Sequence, residues 1–192
     1  MDIGAGSGML TSALLRAGAR VVAIEPDRRL ASRLRRACAD ARVVEADALT
    51  TPWPREHFRV VANLPFNRST DICRRLFGAP QLTAADLIVE WDFAVKRARL
   101  WPSTAQTVIW SAWFELTVVR RIEPRAFAPA PSVAAGVLRA RRRERPLVRP
   151  AEAARYEAFV RRGFRSHRAR ERDPHAWARA WEESSGSRRT VP

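Results

Sequence analysis

The feature that most constrains the fold is a glycine-rich turn near the start of the sequence. Gly4, Gly6 and Gly8 follow the end of a predicted buried strand and precede a predicted helix at residues 9–17, which Gly18 ends. Glycines at these positions let the backbone approach a ligand closely at a helix N-terminus. Their spacing is G-x-G-x-G, whereas the dinucleotide fingerprint is G-x-G-x-x-G. The turn therefore favours S-adenosylmethionine over NAD as the ligand.

Two further predicted strands are followed by acidic residues. Residues 20–24 are an apolar run that ends at Glu25, and the short strand at residues 42–45 precedes Asp47. Ligands in open α/β sheets bind outside the carboxyl ends of the strands. We therefore expect Glu25 to accept hydrogen bonds from ribose hydroxyls and Asp47 to accept from an adenine amine, with the Ala48 N–H donating to the ring. The alternatives are a helix N-terminal charge for Glu25 and a turn-capping role for Asp47.

The fourth predicted strand, residues 58–62, ends in the tetrapeptide Asn63-Leu64-Pro65-Phe66. This set suits methylation of an adenine N6 amine, which is a poor nucleophile because its lone pair is delocalised into the purine ring. The Asn63 side-chain carbonyl and the Leu64 backbone carbonyl would accept both N–H bonds and concentrate the lone pair on nitrogen. Pro65 would fix the turn, and Phe66 would stack on the extruded base. By itself, the tetrapeptide is weak evidence, because Asn and Pro more often mark an ordinary turn.

Positive charge is concentrated in the second half of the 192-residue chain. The net charge is +15, of which residues 1–96 carry +3 and residues 97–192 carry +12. Lys96 is the only lysine, and arginine forks bind phosphates bidentately and stack on bases. The asymmetry predicts a nucleic-acid-binding surface. A genomic bias toward arginine codons would explain the choice of arginine over lysine, but not the asymmetry.

The cysteines and the hydropathy pattern narrow the class of protein. Cys38 and Cys73 have no metal-binding or redox spacing, so no metal site is predicted and both are interpreted as core thiols. No apolar run reaches the length of a membrane span, and no signal-peptide pattern opens the sequence. We therefore expect a cytoplasmic protein without a membrane partner.

The motifs from the glycine turn to the tetrapeptide resemble those of the rRNA adenine-N6 dimethyltransferase family. Within that family, the sequence is most similar to the Erm-type 23S rRNA methyltransferases that confer macrolide resistance. The similarity continues through residues 69–76, 125–133 and 136–138, and covers about residues 1–145. It implies that Phe127 lies on the face of the target adenine opposite Phe66, although Phe127 could instead be a core aromatic. The residues implied to hold S-adenosylmethionine are Gly4, Gly6, Gly8, Glu25, Asp47, Ala48 and Asn63.

The resemblance also implies an architecture. We expect an α/β fold of the Rossmann-like class I methyltransferase type, with one seven-stranded, mostly parallel sheet whose first strand is truncated in this sequence. Residues 1–145 would form the methyltransferase domain, residues 146–184 a small basic helical region, and residues 185–192 a disordered tail. The later strands are predicted at residues 86–91, 104–122 (with a bend) and 133–139, and the later helices at residues 92–99, 151–164 and 173–183.

Six arginines of the second half are predicted to contact RNA phosphates. Three belong to the basic run at residues 139–145, which is expected to lie beside the Pro-rich loop, and three to the arginine-rich segment 161–172. The alternative for the basic run is a solvated edge of the fold. The six are Arg141, Arg142, Arg143, Arg161, Arg162 and Arg165.

The function predicted from these features is S-adenosylmethionine-dependent N6-methylation of an unpaired adenine in 23S rRNA by a monomer, giving macrolide-type resistance. One alternative is a small-subunit (16S-type) rRNA adenine dimethyltransferase, which shares nearly every motif. Another is a catalytically impaired RNA-binding protein on a methyltransferase fold. This last alternative arises because family members carry an upstream segment, with an Asn-Phe-Leu-like motif over the methionine end of the cofactor, that the given sequence does not include.

Overall fold

Strands and helices follow one another in an α/β order. The computed structural model describes residues 1–165 and 172–186, and these contain seven strands and seven α-helices. Parts of the predicted arginine-rich segment and of the predicted tail therefore lie outside the described residues. The strands β1 to β7 are Asp2–Ile3, Val22–Glu25, Arg42–Glu45, Phe58–Asn63, Leu82–Glu90, Phe114–Ile122 and Ala135–Arg142. The helices α1 to α7 are Met9–Arg16, Arg28–Ala37, Ser69–Phe77, Trp91–Ala98, Ala105–Ser111, Ala153–Gly163 and Pro174–Ser185.

The strands form two sheets rather than the single seven-stranded sheet predicted. One sheet has the order β1-β2-β3 and is parallel throughout, while the other has the order β4-β5-β7-β6. β4 and β5 are parallel, and β7 is antiparallel to both of its neighbours. The break falls between β1 and β4, where Val61 N donates to Met1 O at 2.9 Å. Because β1 contains only two residues, it cannot form a longer hydrogen-bonded ladder with β4.

Local sequence signals explain why several elements begin where they do. The Asp27 carboxylate accepts from the backbone N–H groups of Arg29 and Leu30 at 2.8 and 2.9 Å, which caps α2. In β4, alternate side chains beginning at Phe58 are buried, as expected for a strand with one face on the core. In α7, the Asp173 carboxylate accepts from the Ala176 N–H at 2.7 Å and caps the helix, which was predicted at residues 173–183.

The hydrophobic core lies between the β4-β5-β7-β6 sheet and helices α3, α5, α6 and α7. Phe77 contacts Trp110 edge to face, with ring centroids 4.9 Å apart, and it also packs against Phe114 at 5.1 Å. Tyr156 of α6 and Trp177 of α7 are buried in the same cluster. The C-terminal helices therefore share one core with the sheet.

The predicted bent strand at residues 104–122 is wrong. Its first part is helix α5, and only residues Phe114–Ile122 form the strand β6. The Thr104 hydroxyl accepts from the Thr107 N–H at 3.2 Å and caps the helix. The β-branched residues of this stretch favour a strand, but burial of the helix in the core overrides that local preference. The strands predicted at residues 86–91 and 133–139 exist with shifted bounds, as β5 and β7.

Cys38 and Cys73 are both buried free thiols, as predicted. Burial raises the pKa of the Cys73 thiol to about 12, so this group stays protonated in the core. Within the described ranges, no helix combines the length and the apolar character that crossing a bilayer requires.

Candidate active site

A cavity of about 420 Å³ lies at the carboxyl ends of the strands. The ends of β1, β2, β3 and β4 all contribute residues to its wall, as does the loop that precedes β7. The wall thus brings together side chains that are more than 120 positions apart in the chain, from Gly4 to Phe127. The predicted site residues that line it are Gly4, Glu25, Asp47, Ala48, Asn63, Leu64, Pro65, Phe66 and Phe127.

The tetrapeptide after β4 is a hydrogen-bonded turn with one free amide. Leu64 N donates to the Ile88 carbonyl of β5 at 3.0 Å, and the Ser69 hydroxyl donates to the Pro65 carbonyl at 3.1 Å. The Asn63 side chain is exposed and has no hydrogen-bond partner among residues 1–165 and 172–186. Its amide is therefore available to a ligand in the cavity.

Glu25 joins the glycine turn to the start of α2. The residue is 5% exposed, and its two carboxylate oxygens accept from Gly6 N at 2.8 Å and from Asp27 N at 2.9 Å. Because α2 begins at Arg28 and is capped by Asp27, these bonds lie in the turn before the helix, and the alternative of a helix N-terminal charge stays a prediction. Each oxygen keeps a second lone pair, so the predicted contact with ribose hydroxyls stays a prediction. The Gly6 N–H donates to this carboxylate, but Gly6 itself does not line the cavity wall.

Asp47 caps its own turn and also forms an ion pair. Its Oδ1 accepts from Leu49 N at 2.8 Å, and its Oδ2 lies 3.1 Å from Arg68 Nη2. The Leu49 N–H, together with the smaller effect of the Arg68 guanidinium, lowers the pKa of this carboxyl. The turn-capping alternative is therefore confirmed. Asp47 is also an ionised acceptor that lines the cavity, and its predicted hydrogen bond from an adenine amine stays a prediction.

Two aromatic rings form part of the cavity wall. Phe66 follows Pro65 at the start of a single 3₁₀ turn, and Phe127 follows another such turn at Pro124–Ala126. Both rings are half-buried, and Phe127 lies outside the hydrophobic core cluster. This position argues against the reading of Phe127 as a core aromatic. Both rings therefore border the space that a ligand in the cavity would occupy.

The basic run that ends β7 lies at the ends of the strands opposite to those that border the cavity. Because β7 is antiparallel to β5, Ala135 pairs with Glu90 near the strand end that carries Asn63, whereas Arg141 pairs with Ala84. At about 3.4 Å per residue, six residues of strand separate the two ends by about 20 Å. The expectation that this run lies beside the Pro-rich loop is therefore wrong, since the loop enters β7 at the other end.

Arg142 and Arg143 of that run donate hydrogen bonds to backbone carbonyls within the fold. Arg142 donates to the carbonyls of Leu82 and Ala79 at 2.6 and 2.7 Å. Arg143 donates to the Ser111 carbonyl at 2.9 Å. These bonds join β7 to the start of β5 and to α5, which gives both guanidinium groups a structural role that the sequence did not reveal.

The other predicted phosphate contacts differ in their surroundings. Arg161 is exposed and pairs with Glu157 at 2.6 Å, one turn away on α6. Arg141, Arg162 and Arg165 are exposed as well. Their contact with RNA stays a prediction.

Sequence reasoning missed Asp2, which anchors the first helix beneath the glycine turn. The carboxylate is 1% exposed and accepts from the Thr11 hydroxyl at 2.6 Å. Burial raises the pKa of Asp2 above its ordinary value, although the hydrogen bond from Thr11 opposes the shift. A strand residue nine positions before a threonine carries no local pattern that would have indicated this pair.

Replacing Asp2 by asparagine is expected to change the free energy of unfolding, relative to the wild type, more favourably at neutral pH than at acid pH. Because the pKa of Asp2 is higher in the folded than in the unfolded protein, the protonated carboxyl stabilises the fold at pH values below the unfolded-state pKa, near 3.8. This stabilisation is lost as the pH rises through the folded-state pKa. The variant has no carboxylate to ionise and so avoids the loss. Denaturant titrations of both proteins at acid and neutral pH measure the difference, which should grow with pH; a difference independent of pH would contradict the assignment.

The chain matches known proteins over most of its length. The family profile of ribosomal RNA adenine dimethylase matches residues 1–170. An rRNA adenine N-6-methyltransferase of Corynebacterium diphtheriae is 35% identical over 83% of this chain and 64% of its own length. A mycinamicin-resistance protein of Micromonospora griseorubida is 37% identical over 84% of this chain and 52% of its own length. The chain thus spans between half and two thirds of the length of these curated relatives.

A solved structure extends the similarity to three dimensions. The crystal structure of the 23S rRNA methyltransferase ErmE superposes with a TM-score of 0.82 at 28% sequence identity. The match covers 94% of this chain and 88% of the ErmE chain. The methyltransferase type of fold predicted from the sequence is therefore confirmed, with the division into two sheets as the correction.

Proposed function

Since this chain belongs to the ribosomal RNA adenine dimethylase family, we propose that it methylates the N6 amine of an unpaired adenine in 23S rRNA. The observation that carries the proposal is the composition of one cavity. Glu25, Asp47, the free amide of Asn63 and the rings of Phe66 and Phe127 all line the same space. One cavity that suits both a nucleoside cofactor and an extruded base is what transfer between them requires.

Two carbonyl groups are proposed to hold the target amine. The Asn63 side-chain oxygen is free, and the Leu64 carbonyl accepts no backbone hydrogen bond within the described part of the chain. If each accepts one N6–H, the nitrogen lone pair is drawn out of conjugation with the purine ring. Phe66 and Phe127 would hold the ring by stacking. No residue is assigned as a general base, because the proton can leave to solvent after transfer.

The residues around the glycine turn fit S-adenosylmethionine as the cofactor. Glu25 offers lone pairs to ribose hydroxyls, ionised Asp47 offers an acceptor to the adenine amine, and Gly4 leaves the backbone open at the cavity wall. When bound, this cofactor supplies a methyl group activated by a sulfonium. The contribution of the chain is to orient the two reactants and to exclude water between them.

The large-subunit substrate is favoured over the small-subunit alternative by two of the similar proteins. They are a mycinamicin-resistance protein and the 23S rRNA methyltransferase ErmE. Macrolide-type resistance is part of the proposal on the same ground. The exposed Arg141, Arg162 and Arg165 are the proposed phosphate contacts, and their effect should weaken as salt is raised.

Methyl transfer to separated ribosomal RNAs tests the proposal. The protein is incubated with methyl-labelled S-adenosylmethionine and with protein-free 23S or 16S rRNA, and the RNA is digested to nucleosides. Labelled N6-methyladenosine or N6,N6-dimethyladenosine from 23S rRNA alone is the expected result. Label from 16S rRNA alone would establish the small-subunit reading, and RNA binding without label would establish the catalytically impaired reading.

Removing either aromatic ring is expected to weaken RNA binding at the target adenine. Base stacking on an aromatic side chain is worth about 1–3 kcal/mol of binding free energy. Phe66→Ala and Phe127→Ala should therefore each raise KM for an adenine-containing RNA by the factor that corresponds to this free energy. Steady-state kinetics measure KM for each variant. Phe66→Tyr keeps a ring for stacking and serves as the matched control. Equal loss in Phe66→Ala and Phe66→Tyr would argue against stacking.

A further inference from the structure

The loop that follows β3 is shaped by one acidic residue. The N–H groups of Thr50 and Thr51 donate to the Asp47 carbonyl at 3.0 and 2.9 Å, and Leu49 N donates to its Oδ1 at 2.8 Å. These bonds give the loop at residues 46–51 a compact turn of its own. They do not fix the loop relative to the tetrapeptide after β4, which forms another part of the same cavity wall.

Arg75 of α3 makes that connection from the helix side. Its Nη1 donates to the Ala48 carbonyl at 2.6 Å, and its Nη2 donates to the Thr51 carbonyl. The guanidinium also lies 4.3 Å from the ring centroid of Trp53. A planar group that bonds two carbonyls and stacks on a ring is held in one orientation. Arg75 therefore joins the loop to the helix that continues directly from the tetrapeptide.

Arg68 makes a second connection from the turn before that helix. It lines the cavity, and its Nη2 lies 3.1 Å from Asp47 Oδ2. With the Leu49 N–H as the larger cause, this guanidinium helps to lower the pKa of Asp47. An ionised carboxylate can only accept hydrogen bonds. The segment that follows the tetrapeptide therefore helps to hold Asp47 in position through Arg68, while the Leu49 N–H of the loop itself contributes more to keeping the carboxylate ionised.

We infer that Arg68 and Arg75 are positioning residues for the adenine of the cofactor. They tie the loop that carries Asp47 and Ala48 to the segment that follows the target-base tetrapeptide, so that the two halves of the cavity keep one spacing. The inference rests on the proposed function, in which Asp47 accepts from the N6 amine of the cofactor. Adenine presents a donor at that position, whereas hypoxanthine presents a carbonyl oxygen. The two arginines therefore support the preference for an adenine base.

Calorimetry with two cofactor analogues tests the inference without any RNA. S-adenosylhomocysteine carries the N6 amine, and S-inosylhomocysteine carries an oxygen in its place. Arg75→Gln is expected to raise Kd for the adenine compound roughly tenfold, because the released loop would no longer hold Asp47 in place to accept from the N6 amine, and tenfold is the order of one lost hydrogen bond to a charged acceptor. The weaker binding of the inosine compound should change little, so the ratio of the two Kd values falls. A merely structural role would weaken both compounds alike.

Two further variants sharpen the experiment. Arg74→Gln removes a neighbouring guanidinium of the same helix, which pairs with Asp71 at 2.8 Å and is 55% exposed. This matched control should keep the wild-type ratio. Arg68→Gln replaces a half-exposed side chain and is compatible with a folded protein, so it covers the case in which Arg75→Gln unfolds. It should lower the ratio by a smaller factor, roughly two- to fivefold.

The outcomes separate the inference from the proposed function. A wild-type ratio in Arg68→Gln, together with a wild-type ratio or a parallel loss of both compounds in Arg75→Gln, would overturn the positioning role and leave the proposed function intact. Wild-type protein that binds neither compound would overturn the proposed function itself, and the inference with it. A reduced ratio in both variants, with Arg74→Gln unchanged, supports the assignment.

Discussion

Replacing Asn63 by alanine is expected to lower the rate constant for methyl transfer by about 10²- to 10³-fold, the usual effect of removing one preorganised polar group from a reacting centre. The side-chain amide is exposed, lines the cavity and has no partner among the described residues. Its loss would leave the amine lone pair delocalised into the purine ring. Binding of the cofactor and of RNA should change little, because the other residues that hold them remain.

Single-turnover measurements with labelled cofactor and a short adenine-containing RNA separate the rate from binding. Asn67→Ala is the matched control, because Asn67 is an exposed asparagine four positions further along that does not line the cavity. The control should retain the wild-type rate. Retention of that rate by Asn63→Ala would refute the role of the amide, and equal losses in the two variants would point to a distorted turn instead.

Replacing Gly8 by alanine is expected to destabilise the fold by about 2–4 kcal/mol, from the sum of a left-handed backbone and an overpacked core. Gly8 has φ +87°, and a Cβ there would lie 2.5 Å from Leu34 Cδ1. Leu34 is fully buried, so its side chain would have to shift within the core to make room for that Cβ. The third glycine of the turn therefore serves the packing of α1 against α2 and not the cavity wall, which it does not line.

Gly18→Ala provides the comparison for this effect. Gly18 has φ +80°, but a Cβ there would meet nothing within 4 Å. It should cost only the backbone strain, about 1–2 kcal/mol. Urea titrations of the two variants measure the difference in free energy of unfolding, which isolates the contact with Leu34. Equal losses would show that packing against α2 does not determine the need for glycine at position 8.

Local chemistry explains why the cavity could be predicted from the sequence. Each of the first four strands ends in a residue type with a particular use, and parallel strands bring their carboxyl ends to one edge. Glu25, Asp47 and Asn63 were predicted on this basis, and all three line the cavity. Phe127 came from the family resemblance, and it lines the cavity too.

Long-range pairing explains what could not be predicted. The position of the basic run depends on the antiparallel direction of β7, and no residue within the run specifies that direction. The bonds from Arg142 to the carbonyls of Ala79 and Leu82 depend on the same register. The pair of Arg68 with Asp47 joins two loops that are 21 residues apart, and neither loop contains a pattern that indicates the other.

A single binding experiment tests most directly whether one cavity accommodates both reactants. The ligand is a bisubstrate compound in which adenosine is joined through its N6 nitrogen, by a short alkyl linker, to the sulfur position of the cofactor. Wild-type protein should bind it at least about 10²-fold more tightly than S-adenosylhomocysteine, and Phe66→Ala, which removes a stacking ring, should lose much of that gain. Equal affinity of the wild-type protein for the two compounds would contradict the account.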